Sequence, residues 1–469
     1  MSNQRPKIIV LDDDPTGSQT VHSCLLLMQW DVDTLCMGLR DPSPIVFILT
    51  NTRSLSPAQA EQVTRDVCRN LKDAIAHECL DKCLIVSRSD STLRGHYPLE
   101  TDTIADELGP FDAHFLVPAF FEGGRFTRNS IHYVKSEDDQ GNVIDMPVHK
   151  TEFAQDAIFP FSHSFLPDYV EEKTGGAIAA SSVYRMLSAD LQKGCVDQLL
   201  TFEQNQCVVV DAEAQTDLDN FATDCLTAAD QGKRFLFRSA ASLLTSLAQL
   251  PPQPILSELF GQDMRNSRPG VVLVGSYVSK TTKQLQVLLQ EPRVCGIEVN
   301  IWAFVMPQAS PHPQTLQQVN ANVTSPNSIL ADVQPIYQQL LNDTLAKIHT
   351  AHRLGQSVVV YTSRDEITFE KSEQRLQFSQ TVADLLIDIV KDLPSTISFL
   401  ISKGGITSNN TLSHGLGLQS VQLLGQILPG CCLVCTDTSH SKFPRLPVLL
   451  FPGNVGDANS LAIAHQRLN

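Results

Sequence analysis

Short apolar runs alternate with helix-length amphipathic stretches over the first third of the chain. "KIIVLDD" from Lys7 is followed by "PIVFILTNTRS" from Pro44, a helical pattern from Pro57 to His77, "CLIVSRSD" from Cys83, a second helical pattern after Pro98, and "AHFLVPAF" from Ala113. Runs this short and rich in β-branched residues, separated by helix-length segments, predict parallel strands buried on both faces. Polar clusters come just after the runs, at Asp12 to Gly17, Asn51 to Ser54, Ser87 to Gly95 and Pro118 to Arg125. In an open α/β sheet the carboxyl ends of parallel strands share one edge, where ligands bind. The four clusters are therefore expected to converge.

The pattern then loosens. "KSEDDQGNVIDMPVHKTEFAQD" reads as an exposed excursion, after which "QCVVVDAEAQTDLDNF" restores the order strand, acidic turn, helix, and "KRFLFRSAAS" supplies another strand. The proline-rich and polar "QLPPQPILSELFGQDMRNSRPG" marks the main domain boundary near residues 250 to 268. Beyond it the α/β grammar returns in "VVLVGS", "CGIEVNI", "SVVVYTS", "TISFLISKGG", "CCLVCTD" and "PVLLFPGN", with helical patterns near 330 to 350 and 370 to 392. The expected fold is α/β: two α/β domains, at 1–255 and 268–469, with mainly parallel sheets facing each other across an active-site cleft.

Length and charge narrow the function. A chain of 469 residues exceeds what a single core ordinarily supports. Its net charge of -16 disfavours nucleic acid or an anionic membrane surface as a partner held by bulk charge, so an anionic ligand must rely on a few local cations. The N-terminal "MSNQRPKIIV" has no long apolar segment and no later stretch reaches membrane-spanning length, so a soluble, cytoplasmic protein is expected. The 12 cysteines are scattered, as in a protein with reduced thiols. Assembly into a homo-oligomer is left open.

Chemistry concentrates at the strand exits. "VLDDDPTGSQTV" places three adjacent carboxylates, Asp12, Asp13 and Asp14, where mutual repulsion gives a plain turn no advantage. In "SRSDSTLRGHYPLE", Asp90 and Arg94 flank a Ser-Thr pair; arginine offers a fork for a carboxylate or phosphate, and aspartate accepts hydrogen bonds from sugar-like hydroxyls. The bland alternative is an ion pair with a helix cap. "PAFFEGGRFTRNSIHYV" adds Arg125, Arg128 and His132 to the same edge, the histidine reading as structural. The second half has three glycine-bearing exits, "GSYVSKTT", "SKGGITSNN" and "FPGNVGD", each explicable as a turn but together credible as a phosphate cradle, with Lys280 or Lys403 as a source of charge. "GSYVSKTT" is not a P-loop, because Ser279 stands where the second glycine belongs. Cys432 and Cys435 lie in an apolar run and read as strand packing, not a metal site. Nothing resembles a Ser-His-Asp triad.

Taken in order, these motifs resemble the four-carbon acid sugar kinases, over nearly the whole chain. The resemblance rests on D-D-x-T-G at Asp13 to Gly17, D-S-T-L-R-G at Asp90 to Gly95, "PAFFEGGRFT", "VVVDAEAQTDL", "GSYVSKTTKQL", the glycine pair of "SKGGITS" and "FPGNVGD". It implies an N-terminal domain for the sugar acid and a C-terminal domain for the nucleotide, with ATP and Mg²⁺ as cofactors and no metal ligand assigned. Carried over, Asp13 and Asp90 become catalytic, orienting or deprotonating the attacking hydroxyl; Asp12, Thr16, Gly17, Arg94 and Arg125 bind the acid; and Ser276, Ser279, Gly404, Gly405, Ile406, Thr407 and Gly453 bind the nucleotide. The sequence departs from the family pattern at Arg88, where a lysine is common, at Ile406, where a polar residue is common, and in "FPGNVGD", which lacks a lysine. The expected activity is ATP-dependent phosphorylation of a hydroxyl of a short sugar acid such as threonate, erythronate or an oxo derivative. The alternatives are a sugar-acid aldolase or isomerase that uses no nucleotide, and a non-catalytic sensor of nucleotide and sugar acid.

Overall fold

The structure, a computed structural model, describes the chain outside residues 1–4, 19, 138–140, 251–267, 277, 306–325, 365–366, 368, 370–371 and 454. The expected domain boundary thus falls almost wholly outside the described residues. Backbone contacts divide the chain into two compact units, Met1–Gln253 with Gln419–Gly430, and Pro254–Leu418 with Cys431–Asn469.

The strands are β1 (Lys7–Asp12), β2 (Cys24–Leu27), β3 (Ile45–Leu49), β4 (Cys83–Arg88), β5 (Ala113–Val117), β6 (Arg125–Arg128), β7 (Ile131–Glu137), β8 (Val143–Pro147), β9 (Tyr184–Met186), β10 (Gln206–Val210), β11 (Phe235–Ser239), β12 (Val271–Val274), β13 (Val294–Val299), β14 (Ser357–Thr362), β15 (Leu400–Lys403), β16 (Ser420–Leu428), β17 (Cys431–Cys435) and β18 (Pro447–Phe451).

In the first unit the sheet runs β16-β2-β3-β1-β4-β11-β5-β10-β9. Every pair is parallel except β16 with β2. The central strands are apolar and buried throughout, as a sheet covered on both faces requires. One face packs on the helix Pro57–His77, which starts with a Ser56–Gln59 capping box and buries Ala60, Thr64, Val67, Leu71 and Ala74 at helical spacing. Burying Leu71 there contributes roughly 1.5–3 kcal/mol. Elsewhere in the unit Phe115 sits within aromatic contact of Phe221, Phe235 and Phe237. Register aligns the strand ends: Asp12 opposes Leu49 and Arg88, and Ser239 opposes Arg88 and Val117. The clusters after β1, β3, β4 and β5 leave from one edge, in line with the reading of the runs.

The second unit has the order β13-β14-β12-β15-β18-β17, parallel except for β17 with β18. Val274 opposes Tyr361 and Lys403, and Lys403 opposes Phe451, so the exits of four strands stand side by side.

Two segments depart from the sequence reading. Gln419–Gly430, expected with the C-terminal domain, clusters with the first unit, because β16 pairs antiparallel with β2. Its burial alternates residue by residue, the mark of a half-exposed antiparallel strand, so it lacks the continuous apolar run of its neighbours. The exposed excursion contains the end of β7 and all of β8, in an antiparallel sheet β6-β7-β8 whose last strand is largely exposed. Among the described residues no helix is long and apolar enough to cross a membrane.

Candidate functional site

In the first unit the turn after β1 is closed by its own side chains. Asp14 Oδ1 accepts from the Thr16 amide at 2.8 Å and the Thr16 hydroxyl at 2.5 Å. Thr16 thus shapes the loop, and Gly17 lets it fold down: a Cβ on Gly17 would lie 2.1 Å from Asp12 Oδ1. Asp12 is buried beneath it, receiving Arg88 Nη1 at 3.4 Å on Oδ1 and, among the described residues, no hydrogen bond on Oδ2. Burial, with Asp13 and Asp14 nearby, pushes the Asp12 carboxyl up to about 7 despite Arg88. Asp12, expected to bind the acid, lies buried behind the loop, next to Asp13.

Asp13 and Asp90 are brought together by a residue that sequence reasoning did not single out. Arg53, in the turn Thr52–Ser54 after β3, donates from Nη2 to Asp13 Oδ1 at 2.5 Å and from Nε to Asp13 Oδ2 at 3.1 Å. Its Nη1 lies 3.4 Å from Asp14 Oδ2 and 3.6 Å from Asp90 Oδ1. Asp90 also accepts from Arg94 Nε at 2.9 Å and from the Thr92 amide and hydroxyl. Burial alone would raise the Asp90 pKa, but Arg94 and Arg53 outweigh it and hold the carboxyl far below the usual range. In this array the Asp13 and Asp90 carboxylates are buried, the arginines that pair with them are half-buried, and the charges nearly balance. Glu100 supports it from below, accepting from Thr52 Oγ1 at 2.5 Å and from Arg238 Nη1 at 2.5 Å, while His96 Nε2 lies 3.1 Å from the Thr52 carbonyl.

Arg94 and Arg125 meet over one ring. The Arg94 guanidinium lies 5.1 Å from the Phe153 centroid and that of Arg125 lies 6.0 Å from it. Arg125 donates from Nη1 to the Gly123 carbonyl at 2.6 Å, while its buried Nε has no acceptor among the described residues. Burial lowers the Arg125 pKa, with Arg94 acting in the same direction. Two guanidiniums, one with an unused donor, form a place where an anionic group would be stabilised. Arg125 also lines a cavity of about 850 Å³ with Glu122, Lys135, Glu213 and Gln215. Arg128 pairs with Asp145 and Glu213 at the surface, and His132 is buried between Thr127 Oγ1 and the Ser91 carbonyl, the structural role expected of it.

In the second unit the three glycine-bearing exits converge on Ser276. A Cβ on Gly404 would lie 3.1 Å from Ser276 Cβ, and one on Gly453 would lie 3.1 Å from Ser276 Oγ. Gly404 also has φ +119, which side-chain-bearing residues rarely adopt. A Cβ on Gly275 would lie 2.3 Å from Thr407 Oγ1, so Thr407 belongs to the same group. Thr281 Oγ1 ties the exits together, donating to the Gly453 carbonyl at 3.1 Å and to Ser276 Oγ at 3.3 Å. Ser279 and Gly405 open the helices Ser279–Leu288 and Gly405–Asn410, and Ile406 is exposed. Close backbone approach between glycines is the geometry that accepts phosphate. Lys403, expected as a charge for this site, is fully buried: Nζ donates to the Pro452 carbonyl and sits 4.1 Å from the Phe451 ring centre, and burial lowers its pKa to about 7. Its place is to fix the β18 exit.

One sheet edge thus presents paired carboxylates and arginines, and a second one presents glycines. A family model described as "Sugar-binding N-terminal domain" matches residues 8–247, and one described as "Nucleotide-binding C-terminal domain" matches 308–461. The chain belongs to the two-domain, four-carbon acid sugar kinase family. It is 22% identical over 321 residues to the D-erythronate kinase of Heliobacterium modesticaldum, a match that covers 64% of each chain. It is 28% identical over 170 residues to the D-threonate kinase of Bordetella bronchiseptica, covering 34% of this chain and 38% of that one. The chain therefore spans less than two thirds of the length of each of these relatives. Crystal structures of a Salmonella typhimurium LT2 protein and a Haemophilus influenzae protein share the fold, with TM-scores of 0.62 and 0.57 at 16% and 17% identity; the matches cover 99% and 98% of this chain and 100% of each of those.

Proposed function

We propose that the protein is an ATP-dependent kinase that phosphorylates a hydroxyl of a short, four-carbon sugar acid such as threonate, erythronate or an oxo derivative. The observation that carries this reading is the Asp13–Arg53–Asp90–Arg94 array, a set of fixed charges with buried carboxylates and half-buried arginines that can receive a hydroxy acid at both of its functional groups. Arg94 and Arg125 hold the carboxylate, and Asp13 and Asp90 accept hydrogen bonds from hydroxyls. Since Arg53 neutralises both aspartates, their role is to orient the attacking oxygen. That suffices for phosphoryl transfer, where positioning and charge stabilisation dominate over proton abstraction.

Ser276, Ser279, Gly404, Gly405, Ile406, Thr407 and Gly453 bind the nucleotide, chiefly through backbone amides and hydroxyls around the converging glycines. The cradle fits phosphate oxygens, because added side chains at Gly404 and Gly453 would meet Ser276. Mg²⁺ enters with ATP and neutralises charge on the phosphates. The protein acts in the cytoplasm on two small molecules, without nucleic acid or membrane, and self-association is compatible with this role.

The test is a screen of ADP release with Mg-ATP across four- to six-carbon sugar acids, beside the melting temperature with and without Mg-ATP. Stabilisation together with acid-dependent ADP release is expected. No stabilisation would favour an aldolase or isomerase, and stabilisation without turnover a sensor.

A further inference from the structure

Arg364 follows β14, the strand next to β12 at the exit edge of the second unit. Its Nη2 donates to the Ser276 carbonyl at 2.6 Å and to Thr282 Oγ1 at 3.0 Å, and Nε reaches Thr282 Oγ1 at 3.3 Å. All these acceptors are neutral. Among the described residues no carboxylate lies within ion-pair distance of it, in contrast to Arg53, Arg88, Arg94 and Arg238, each paired with an acid. Its remaining nitrogen, Nη1, is buried and has no acceptor among the described residues, although the residue as a whole is half-buried. A buried donor left unused is costly unless an acceptor arrives to share it. The residue it grips is Ser276, on which Gly404 and Gly453 converge. Glu298 attracts it from beyond ion-pair distance, and in a chain of net charge -16 a cation at that point with no ion pair among the described residues is suited to an anionic ligand.

We propose that Arg364 binds the phosphate chain of the nucleotide, donating from Nη1 to a phosphate oxygen while Nη2 fixes the Ser276 carbonyl that shapes the cradle. This rests on the kinase reading above and adds to it a cation at the glycine exits. Lys403 cannot serve there, because its ammonium is engaged with Pro452. An arginine fork suits this position, since it can hold a carbonyl with one nitrogen and a phosphate with another, which lysine cannot do in the same geometry.

The test compares the affinities of wild type, Arg364→Gln and Arg364→Lys for Mg-ADP, Mg-ATP and adenosine by calorimetry, with melting curves to show that each variant is folded. Arg364→Gln should weaken Mg-ADP and Mg-ATP by roughly tenfold or more, the size of a lost charge-assisted hydrogen bond, and leave adenosine within about twofold. Arg364→Lys should fall between the two. A loss of equal size for adenosine would make Arg364 a purely structural prop and overturn the assignment, as would unchanged Mg-ADP affinity in a folded Arg364→Gln. If the wild type binds no Mg-ATP, the kinase reading fails and takes this assignment with it; if it binds and Arg364→Gln binds equally, the assignment alone fails.

Discussion

Arg53 bonds Asp13 through two nitrogens and reaches Asp14 and Asp90, so one guanidinium holds together acids from two distant loops. Nothing in "NTRS" announces this. The cluster was legible as a strand exit, but the partners of Arg53 lie far away along the chain on either side and meet only because β3, β1 and β4 are neighbours. Arg94 was legible, since D-S-T-L-R-G places an acid and a base on one turn. Arg94→Ala should raise KM for the sugar acid by roughly tenfold or more and change KM for ATP by less than about threefold, because it removes a contact to one substrate. Equal increases in both would contradict the carboxylate role. Asp12 gives a pH signature. Its carboxyl is pushed up to about 7 in the folded chain by burial, with Asp13 and Asp14 adding to the shift against Arg88, while an unfolded aspartate titrates near about 3.9. Between these values the folded state binds the extra proton, so this group's contribution to stability declines as pH rises through that window. Asp12→Asn cannot ionise. Its melting temperature relative to wild type should therefore climb from about pH 5 to about pH 8, and a difference that stays flat would show that Asp12 does not titrate there.

At the scale of elements, the glycine exits do by backbone what the first unit does by side chains. β12, β15 and β18 are adjacent and parallel, so three turns far apart in sequence open at one point. Their convergence could be read from the glycine after each apolar run, whereas the order of the strands could not, because it depends on crossovers that a single run does not encode. Lys403 shows the limit of reading charge from sequence: a lysine beside a glycine pair looks like a phosphate ligand, yet its register in a buried strand turns it inward. Gly404→Val should be damaging on two counts, a backbone at φ +119 and a side chain against Ser276. It should raise KM for ATP by roughly tenfold or more while KM for the acid changes little. An unchanged KM for ATP would remove Gly404 from the cradle. Among the strands missed by sequence, β2 and β16 are short or alternating and pair with each other, so neither shows the buried run that marked the rest.

For the molecule as a whole, the α/β class and the mainly parallel pairing follow from apolar runs too short for helices and spaced by segments that are long enough for them. What sequence left out is the balance of charge. The chain carries 51 acidic and 35 basic residues, yet the two candidate sites gather arginines: Arg53, Arg94 and Arg125 in the first unit and Arg364 in the second. Those gatherings are products of tertiary structure, and they are what make an acidic protein a credible host for two anions. The central claim is transfer of a phosphoryl group from ATP to a hydroxyl of a short sugar acid. Its most direct test is phosphorus NMR of the purified protein with Mg-ATP and threonate or erythronate. The account predicts a new phosphomonoester resonance that grows in step with ADP and is absent without the acid; ADP formed with inorganic phosphate alone, or no ADP with any four-carbon sugar acid, would contradict it.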